Sequence, residues 1–126
     1  KNGKLQYCNA GHNSPVIMLP DGNAGYMDTA TNIPLGLFKG FAYEEGTVDF
    51  PAGSSVFLYT DGVTEAENME KELYSENKLI DVLGSVKDRS NPEQTVCAVF
   101  EDVKAHVGNA EQNDDITILC IYYNPE

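Results

Sequence analysis

Two aspartate-containing segments are the residues best suited to chemistry in this sequence. Asp61 follows an apolar run at residues 55–59, and Asp114 and Asp115 precede a second apolar run at residues 116–123. Short runs rich in β-branched and aromatic residues are typical of buried strands. If the two strands are neighbours, carboxylates gather at one end of a sheet and repel unless a cation lies between them. Because carboxylate and water oxygens suit magnesium and manganese, the pair predicts a metal-dependent site that acts on phosphate.

A purely structural interpretation of each motif stands beside this one. Asp-Gly is a common turn dipeptide, and an aspartate at the end of a strand often only caps or turns the chain. Either motif alone favours the turn interpretation. The two motifs together, with the residues around them, favour the metal site.

The charge of the chain narrows the classes of partner. Its 126 residues include 20 acidic and 8 basic side chains, which gives a formal charge of −12. Nucleic acids and anionic membrane surfaces are bound through Lys and Arg, so we expect neither as a partner. Arg89 is the only arginine. An enzyme with so few arginine forks must handle phosphate mainly through metal ions, which strengthens the carboxylate interpretation.

The cysteines indicate the cellular compartment. The three of them, Cys8, Cys97 and Cys120, lie far apart, each in an apolar stretch. Their spacing fits neither a zinc site nor a disulfide framework. We therefore expect buried thiols in a reducing, cytoplasmic compartment.

The strands that position the aspartates begin at the start of the chain. Asn2-Gly3 is a strong two-residue hairpin turn, and residues 4–9 are predicted to form the strand that leaves it. Only Lys1 precedes this turn, so we expect the chain to be cut from something longer. Further strands are predicted at residues 16–19 and 47–50.

Two helices are predicted between the aspartate motifs. The first begins near Ser75, and the second begins at Asn91, which is followed by a proline at the first helical position and ends at Gly108. The apolar stripe of the second helix, expected to face the sheet, consists of Val96, Val99, Phe100, Val103 and Val107. Several strands, two helices and a closing strand predict an α+β fold with helices packed on one face of an antiparallel sheet.

Four motifs, taken in order, resemble one family. Residues 9–15 (NAGHNSP), 34–37 (PLGL), 58–66 (LYTDGVTEA) and 114–117 (DDIT) are similar to the PPM-type serine phosphatases of bacterial sigma-factor regulation. This is the group of stage II sporulation protein E and the stress-response phosphatases, which are distant relatives of protein phosphatase 2C. Any one motif is a weak signal, but four in the right order with sensible gaps are a strong one.

The resemblance carries expectations about fold, cofactors and substrate. It implies two stacked antiparallel sheets flanked by helices, with residues 1–126 as the C-terminal portion of one catalytic domain whose first strands are missing. It implies two manganese or magnesium ions, with Asp61 and Asp114 as metal ligands and Asp115 as a weaker candidate. It implies hydrolysis of phosphoserine or phosphothreonine on a protein, typically a small anti-sigma antagonist. The family's earlier Gly-Asp motif is absent here and is expected upstream of Lys1.

Two competing functions and one mode of assembly stay open. The chain is alternatively a catalytically inactive module that binds a sigma-factor regulator, or a generic acidic α+β domain with turn aspartates. The generic domain does not explain why four motifs fall in order. An uncovered sheet edge beside residues 4–9 invites pairing with a second copy of the chain, which would give a homodimer.

Two segments near the motifs also have alternative roles. His12 is either a general acid or a loop residue that bonds to the backbone, and the second role is favoured. Residues 29–41 either contact a substrate or regulator or cover the core. We favour the cover, with Ile33, Leu35 and Leu37 as the side chains that fill the core.

Overall fold

The described residues form nine elements. A computed structural model describes residues 3–30 and 32–124, so the predicted turn at Asn2-Gly3 lies partly outside the described residues. In chain order the elements are β1 (Lys4–Tyr7), β2 (Val16–Met18), β3 (Ala24–Tyr26), β4 (Gly46–Asp49), β5 (Ser55–Tyr59), α1 (Asp61–Thr64), α2 (Glu76–Ser85), α3 (Pro92–Val107) and β6 (Ile118–Tyr122).

The strands form two antiparallel sheets. One sheet has the order β3-β2-β5-β6, and the other is the β1–β4 pair. Helices α2 and α3 pack on one face of the four-stranded sheet, where Leu83 and Val103 meet Phe57 in the main core. The β1–β4 pair covers part of the opposite face, where Leu5 packs near Val56. The predicted α+β architecture of stacked sheets and helices is confirmed.

Side-chain alternation along β5 explains how one strand serves both layers. Successive side chains of a strand point to opposite faces of the sheet. Phe57 and Tyr59 enter the helical core with exposures of 0% and 2%, while Val56 and Leu58 face the two-stranded sheet. The continuous apolar run at residues 55–59 is therefore buried on both sides.

The ends of α3 follow the predicted local signals. The Asn91 side chain accepts a hydrogen bond from the Gln94 N–H at 3.2 Å, which is an N-cap. Gly108 adopts a positive φ of 57° and its N–H donates to the Lys104 carbonyl at 3.0 Å. Ser75 precedes α2 as predicted, but its side chain makes no capping bond.

None of the helices in the described ranges has the length and apolar content needed to cross a membrane.

One residue of the predicted apolar stripe is misplaced. Val99 and Val103 are buried, with exposures of 0% and 1%, whereas Phe100 is 41% exposed. Each helical residue is turned by about 100° from the one before it. Phe100 therefore points away from the line that its neighbour Val99 shares with Val103. The prediction that Phe100 faces the sheet is wrong.

The apolar loop ahead of β4 does not cover the core. Leu35 is 77% exposed and Leu37 is 60% exposed, whereas Ile33 is half-buried, so the predicted role in filling the core is wrong for the two leucines. Paired hydrogen bonds between Asn32 and the Glu44 backbone, both 3.2 Å, close the loop on itself. The loop is thereby stabilised by its own contacts while its apolar tip faces outward.

The cysteines also differ from expectation. Cys8 and Cys97 are exposed, and Cys120 is partly buried. The prediction of buried thiols is therefore wrong for the first two, because Cys8 lies beyond the end of β1 and Cys97 on the outer side of α3. Burial raises the pKa of the Cys120 thiol, and a hydrogen bond with Thr95 acts in the opposite direction.

The first testable prediction separates core from surface on the two helices. We expect Leu83→Ala to lower the free energy of unfolding by about 2–5 kcal/mol, because a fully buried side chain leaves a cavity. Phe100→Ala should lower it clearly less, since the ring is already 41% exposed. Urea denaturation of both variants and the parent measures the two losses. Equal losses would place Phe100 in the core after all.

Candidate active site

The pairing of β5 with β6 brings the two aspartate motifs to one end of a sheet. The two strands are antiparallel neighbours, with Ser55 opposite Tyr122 and Tyr59 opposite Ile118. The C-terminal end of β5 therefore meets the N-terminal end of β6. The neighbour relation on which the sequence argument depended is present in the structure.

Thr60 joins the two motifs directly. Its N–H donates to the Thr117 carbonyl at 3.1 Å, and its hydroxyl accepts the Thr117 N–H at 3.0 Å. The same hydroxyl donates to the Asp115 carbonyl at 3.0 Å. Thr60 occupies the N-cap position of α1, yet its side chain makes no capping bond there. The hydroxyl is used instead to extend the β5–β6 pairing beyond the last strand residues.

Gly62 lets the two motifs approach each other. A Cβ atom built at this position would collide with the carbonyl oxygen of Asp115. Gly62 has no positive φ, so backbone strain does not require glycine here. Glycine is required at position 62 because the loop that carries Asp115 approaches it closely.

Asp61 is exposed at the first position of α1. A residue of the NAGHNSP motif (residues 9–15) binds its side chain. Its Oδ1 accepts a hydrogen bond from the Asn13 side-chain amide at 2.7 Å. The loop that carries Asn13 is closed by the Asn9 side chain, which accepts the His12 N–H at 2.7 Å and donates to the His12 carbonyl at 2.8 Å. An ordered loop therefore orients one oxygen of the candidate metal ligand.

The PLGL motif (residues 34–37) packs against the NAGHNSP motif (residues 9–15). Gly11 has a φ of 83°, and a Cβ atom at this position would come within 2.8 Å of the Pro34 ring. The first and second motifs are thus in contact, the first contacts Asp61, and the third contacts the fourth through Thr60 and Gly62. The first, third and fourth motifs therefore meet at one end of the four-stranded sheet, and the second motif touches the first through Pro34.

The two aspartates of the fourth motif, Asp114 and Asp115, are arranged by their own loop. Asp114 Oδ1 accepts the Asp115 N–H at 2.7 Å. Asp115 contributes its carbonyl to the contacts with Thr60 and Gly62. Both residues are exposed. The backbone of Asp115 therefore has a structural role, while the Asp114 carboxylate lies in the loop that precedes β6.

His12 is bound to the backbone of its own loop. Its Nδ1 lies 2.9 Å from the Asn13 carbonyl oxygen, a distance at which a protonated Nδ1 donates to that oxygen. The favoured interpretation of His12 as a loop residue bonded to the backbone is confirmed.

The only arginine lies at the other end of β5. The Ser55 hydroxyl donates to the Arg89 carbonyl at 3.4 Å, which places Arg89 beside the first residue of the strand. Its guanidinium donates at 3.3–3.4 Å to four backbone carbonyls, those of Leu19, Asn23, Leu83 and Gly84. Arg89 therefore ties loops together, and phosphate bound near Asp61 would not meet it.

The donor chemistry of this end of the sheet suits part of a metal site. The carboxylates of Asp61 and Asp114 are hard oxygen ligands of the type that manganese and magnesium take. Across residues 3–30 and 32–124, no three or more His, Cys, Asp or Glu side chains are grouped so that they could hold a metal ion. The described residues thus fit one side of a metal site and supply two candidate ligands for it.

Three supporting residues were not singled out by sequence reasoning. Asn13, Thr60 and Gly62 lie within the recognised motifs, but no local pattern assigns them these contacts. Their positions inside the motifs were the only available signal.

Comparison with solved structures defines the class of protein. The chain superposes on the crystal structure of the RsbU and RsbW domains of Rv1364c from Mycobacterium tuberculosis with a TM-score of 0.80 and 26% identity, over 98% of this chain and 34% of that one. It superposes on the manganese-presoaked phosphatase domain of SpoIIE from Bacillus subtilis with a TM-score of 0.74 and 13% identity, over 100% of this chain and 53% of that one. The fold is that of part of a PP2C-type phosphatase domain.

Sequence comparison gives the family. The chain matches the family of stage II sporulation protein E (SpoIIE) over residues 1–124, and it belongs to that family. It is 28% identical to protein IcfG of Synechocystis sp. over 123 residues, which are 98% of this chain and 19% of IcfG. It is 29% identical to the phosphoserine phosphatase RsbP of Bacillus subtilis over 62 residues, which are 49% of this chain and 15% of RsbP. The resemblance seen in the four motifs is confirmed.

The second testable prediction concerns the contact at Gly62. We expect Gly62→Ala to lower the thermal unfolding midpoint, because the new Cβ collides with the Asp115 carbonyl. Gly84→Ala is the matched control, since a Cβ there meets nothing within 4 Å and alanine has the higher helix propensity in the last turn of α2. A Gly62→Ala midpoint equal to that of the parent would mean that the two loops do not touch.

The third testable prediction concerns metal binding by the 126-residue chain itself. We expect weak binding of no more than one manganese ion, because two-metal phosphoryl chemistry holds its ions about 3.5–4 Å apart and needs more ligands than two carboxylates. Isothermal titration calorimetry should show this binding lost in Asp61→Asn and kept in Asp81→Asn, which changes an exposed aspartate on α2. Tight binding of two ions would contradict the prediction.

Proposed function

We propose that residues 1–126 form the C-terminal portion of a single metal-dependent protein serine/threonine phosphatase domain. The observation that carries the proposal is the contact of the first and fourth family motifs with the third, which carries Asp61, at the end of the β5–β6 pair. Membership of the SpoIIE family and the PP2C-type fold support phosphatase chemistry. The relative RsbP is named as a phosphoserine phosphatase, which supports phosphoserine as the substrate group.

In this proposal Asp61 and Asp114 hold manganese or magnesium. A metal pair of this kind supplies an activated water near neutral pH and neutralises charge on the phosphoryl oxygens. The residues of this chain orient the ligands. Asn13 fixes one Asp61 oxygen by a 2.7 Å hydrogen bond, and Thr60 fixes the Asp115 carbonyl and so the loop of Asp114. The manganese presoak of the SpoIIE phosphatase domain supports the choice of metal.

The proposal also covers the rest of the protein. The chain spans 53% of the SpoIIE phosphatase domain, and we assign the further metal ligands, including a Gly-Asp motif, to other parts of the full-length protein. We propose that the substrate is a phosphorylated anti-sigma antagonist in the cytoplasm, as the resemblance of the four motifs to the phosphatases of bacterial sigma-factor regulation implies. Among the described residues β1 pairs only with β4, so the 126-residue chain alone, unlike the full-length protein, is proposed to form a homodimer by pairing through β1.

One observation favours a second function. The described residues lack a group of three or more metal-ligating side chains, as a catalytically inactive module that binds a sigma-factor regulator would. The two functions differ in one measurable property, which is turnover of a phosphorylated substrate by the full-length protein in the presence of manganese.

The fourth testable prediction is therefore an activity measurement on the full-length protein. We expect manganese-dependent hydrolysis of a phosphoserine peptide, and we expect Asp61→Asn and Asp114→Asn each to lower kcat/KM by at least about a hundredfold, because charge stabilisation at the reacting phosphate is lost. Asp81→Asn, which changes an exposed aspartate on α2, is the matched control and should retain activity. Turnover that persists in excess chelator would contradict the metal mechanism. No turnover by the parent would favour the inactive module.

A further inference from the structure

A groove lies beside the candidate site, between that site and the C-terminal half of α3. It has a volume of about 250 Å³. We name it the α3 groove and define it by six of its lining residues, Gly62, Ala66, Phe100, Val107, Glu111 and Ile116. Four of these are apolar walls, and Glu111 lies at the rim in the loop that leads to Asp114.

The α3 groove is continuous with the end of the sheet where the motifs meet. Gly62 directly follows Asp61, and Ile116 directly follows Asp115. One wall of the groove is therefore built from the same two loops that carry the candidate metal ligands. A chain that presents a phosphoserine to Asp61 and Asp114 would carry its neighbouring residues across this groove, since each extended residue spans about 3.3–3.6 Å.

The exposure of Phe100 gives the groove an apolar character. This ring is 41% exposed, although Val99, Val103 and Val107 of the same helix belong to or pack against the core. Large exposed apolar side chains beside a concave surface are typical of sites that bind another protein segment. The groove thus suits an aliphatic side chain.

The charges around the groove indicate which residues of a bound segment would lie beside its aliphatic side chain. The one lysine of the groove, Lys104, lies 3.5 Å from Glu101 and 5.5 Å from the Phe100 ring centroid, so its charge has a partner. Glu111 is exposed at the rim, and the exposed Asp114 and Asp115 follow it in the same loop. An acidic rim in a chain of formal charge −12 favours basic residues in the bound segment.

We propose that the α3 groove binds a segment of the phosphoprotein substrate in which an aliphatic side chain stands next to Lys or Arg, close to the phosphoserine. This inference rests on the proposed phosphatase function and adds the substrate class that the site prefers. Apolar walls and an acidic rim together fit such a segment, and the shared loops place it beside the phosphoserine.

The experiment compares two phosphoserine peptides with the full-length, manganese-loaded protein. One synthetic peptide carries Leu and Lys on both sides of the phosphoserine, and the other carries Asn and Glu at the same positions. We expect kcat/KM to be higher for the Leu/Lys peptide by about tenfold or more, the scale on which an apolar pocket discriminates. Para-nitrophenyl phosphate, which has no flanking residues, reports phosphatase activity independently of the groove.

Two variants with matched controls then locate the preference. Phe100→Asn and Glu111→Lys should each bring the ratio of the two kcat/KM values toward one. Met69→Asn, at a 70% exposed apolar residue outside the groove, and Glu93→Lys, at an exposed acid in the first turn of α3, should leave the ratio unchanged. Thermal unfolding checks that each variant is folded. If Phe100→Asn is not, the exposed Glu111→Lys variant decides.

Every other outcome of the peptide experiment overturns the inference, and each identifies a different reason. A parent that hydrolyses para-nitrophenyl phosphate but has no peptide preference, or a preference that survives both groove variants, overturns the groove and leaves the phosphatase function intact. Groove variants that lower the unfolding midpoint with an unchanged ratio would mean that another part of the protein fills the groove. A parent that hydrolyses none of the three substrates overturns the phosphatase function and the groove with it.

Discussion

The hydroxyl group of Thr60 is the constraint on which the arrangement of the site depends. It accepts the Thr117 N–H and donates to the Asp115 carbonyl, each at 3.0 Å, and so joins segments that are 55 residues apart in sequence. A side chain of similar shape without a hydroxyl would keep the packing but lose both bonds, leaving backbone groups without their partner at the strand ends. The contact at Gly62 depends on the same approach, because only a residue without a Cβ fits against the loop that Thr60 holds.

This joint places the loops that carry Asp61 and Asp114 side by side at one end of the sheet. Like charges at one end of a sheet oppose folding. This repulsion is offset by the hydrogen bonds of the β5–β6 pair and by the core, in which Phe57 and Tyr59 are almost fully buried. Local donors reduce the repulsion, since Asn13 donates to Asp61 and the Asp115 N–H donates to Asp114. The Tyr59 hydroxyl near the site adds no negative charge, because a tyrosine is neutral near pH 7 and burial raises its pKa further.

The sequence predicted those features that depend on neighbouring residues along the chain. The N-cap at Asn91 and the stop at Gly108 have local causes, and both were predicted. Exposure depends on what packs from elsewhere, which explains why the expectations for Leu35 and Phe100 failed although both residues are apolar. The hydrogen bond from Asn13 to Asp61 joins residues 48 apart, and no spacing rule covers such a contact. The candidate ligands were found only because their types and motifs are distinctive.

The two faces of β6 differ in how far they are buried. Ile118 and Cys120 pack against the helical core, while the alternating residues Leu119 and Ile121 are 53% and 48% exposed on the other face. The β1–β4 pair covers β5 on that face but leaves these side chains half open. Because the chain spans 53% of the SpoIIE phosphatase domain, an apolar strip beside a partial second sheet is the surface that more of the same sandwich would cover. The carboxylate end of the β5–β6 pair borders this strip, so any segment that packed on the strip would also come within reach of Asp61 and Asp114.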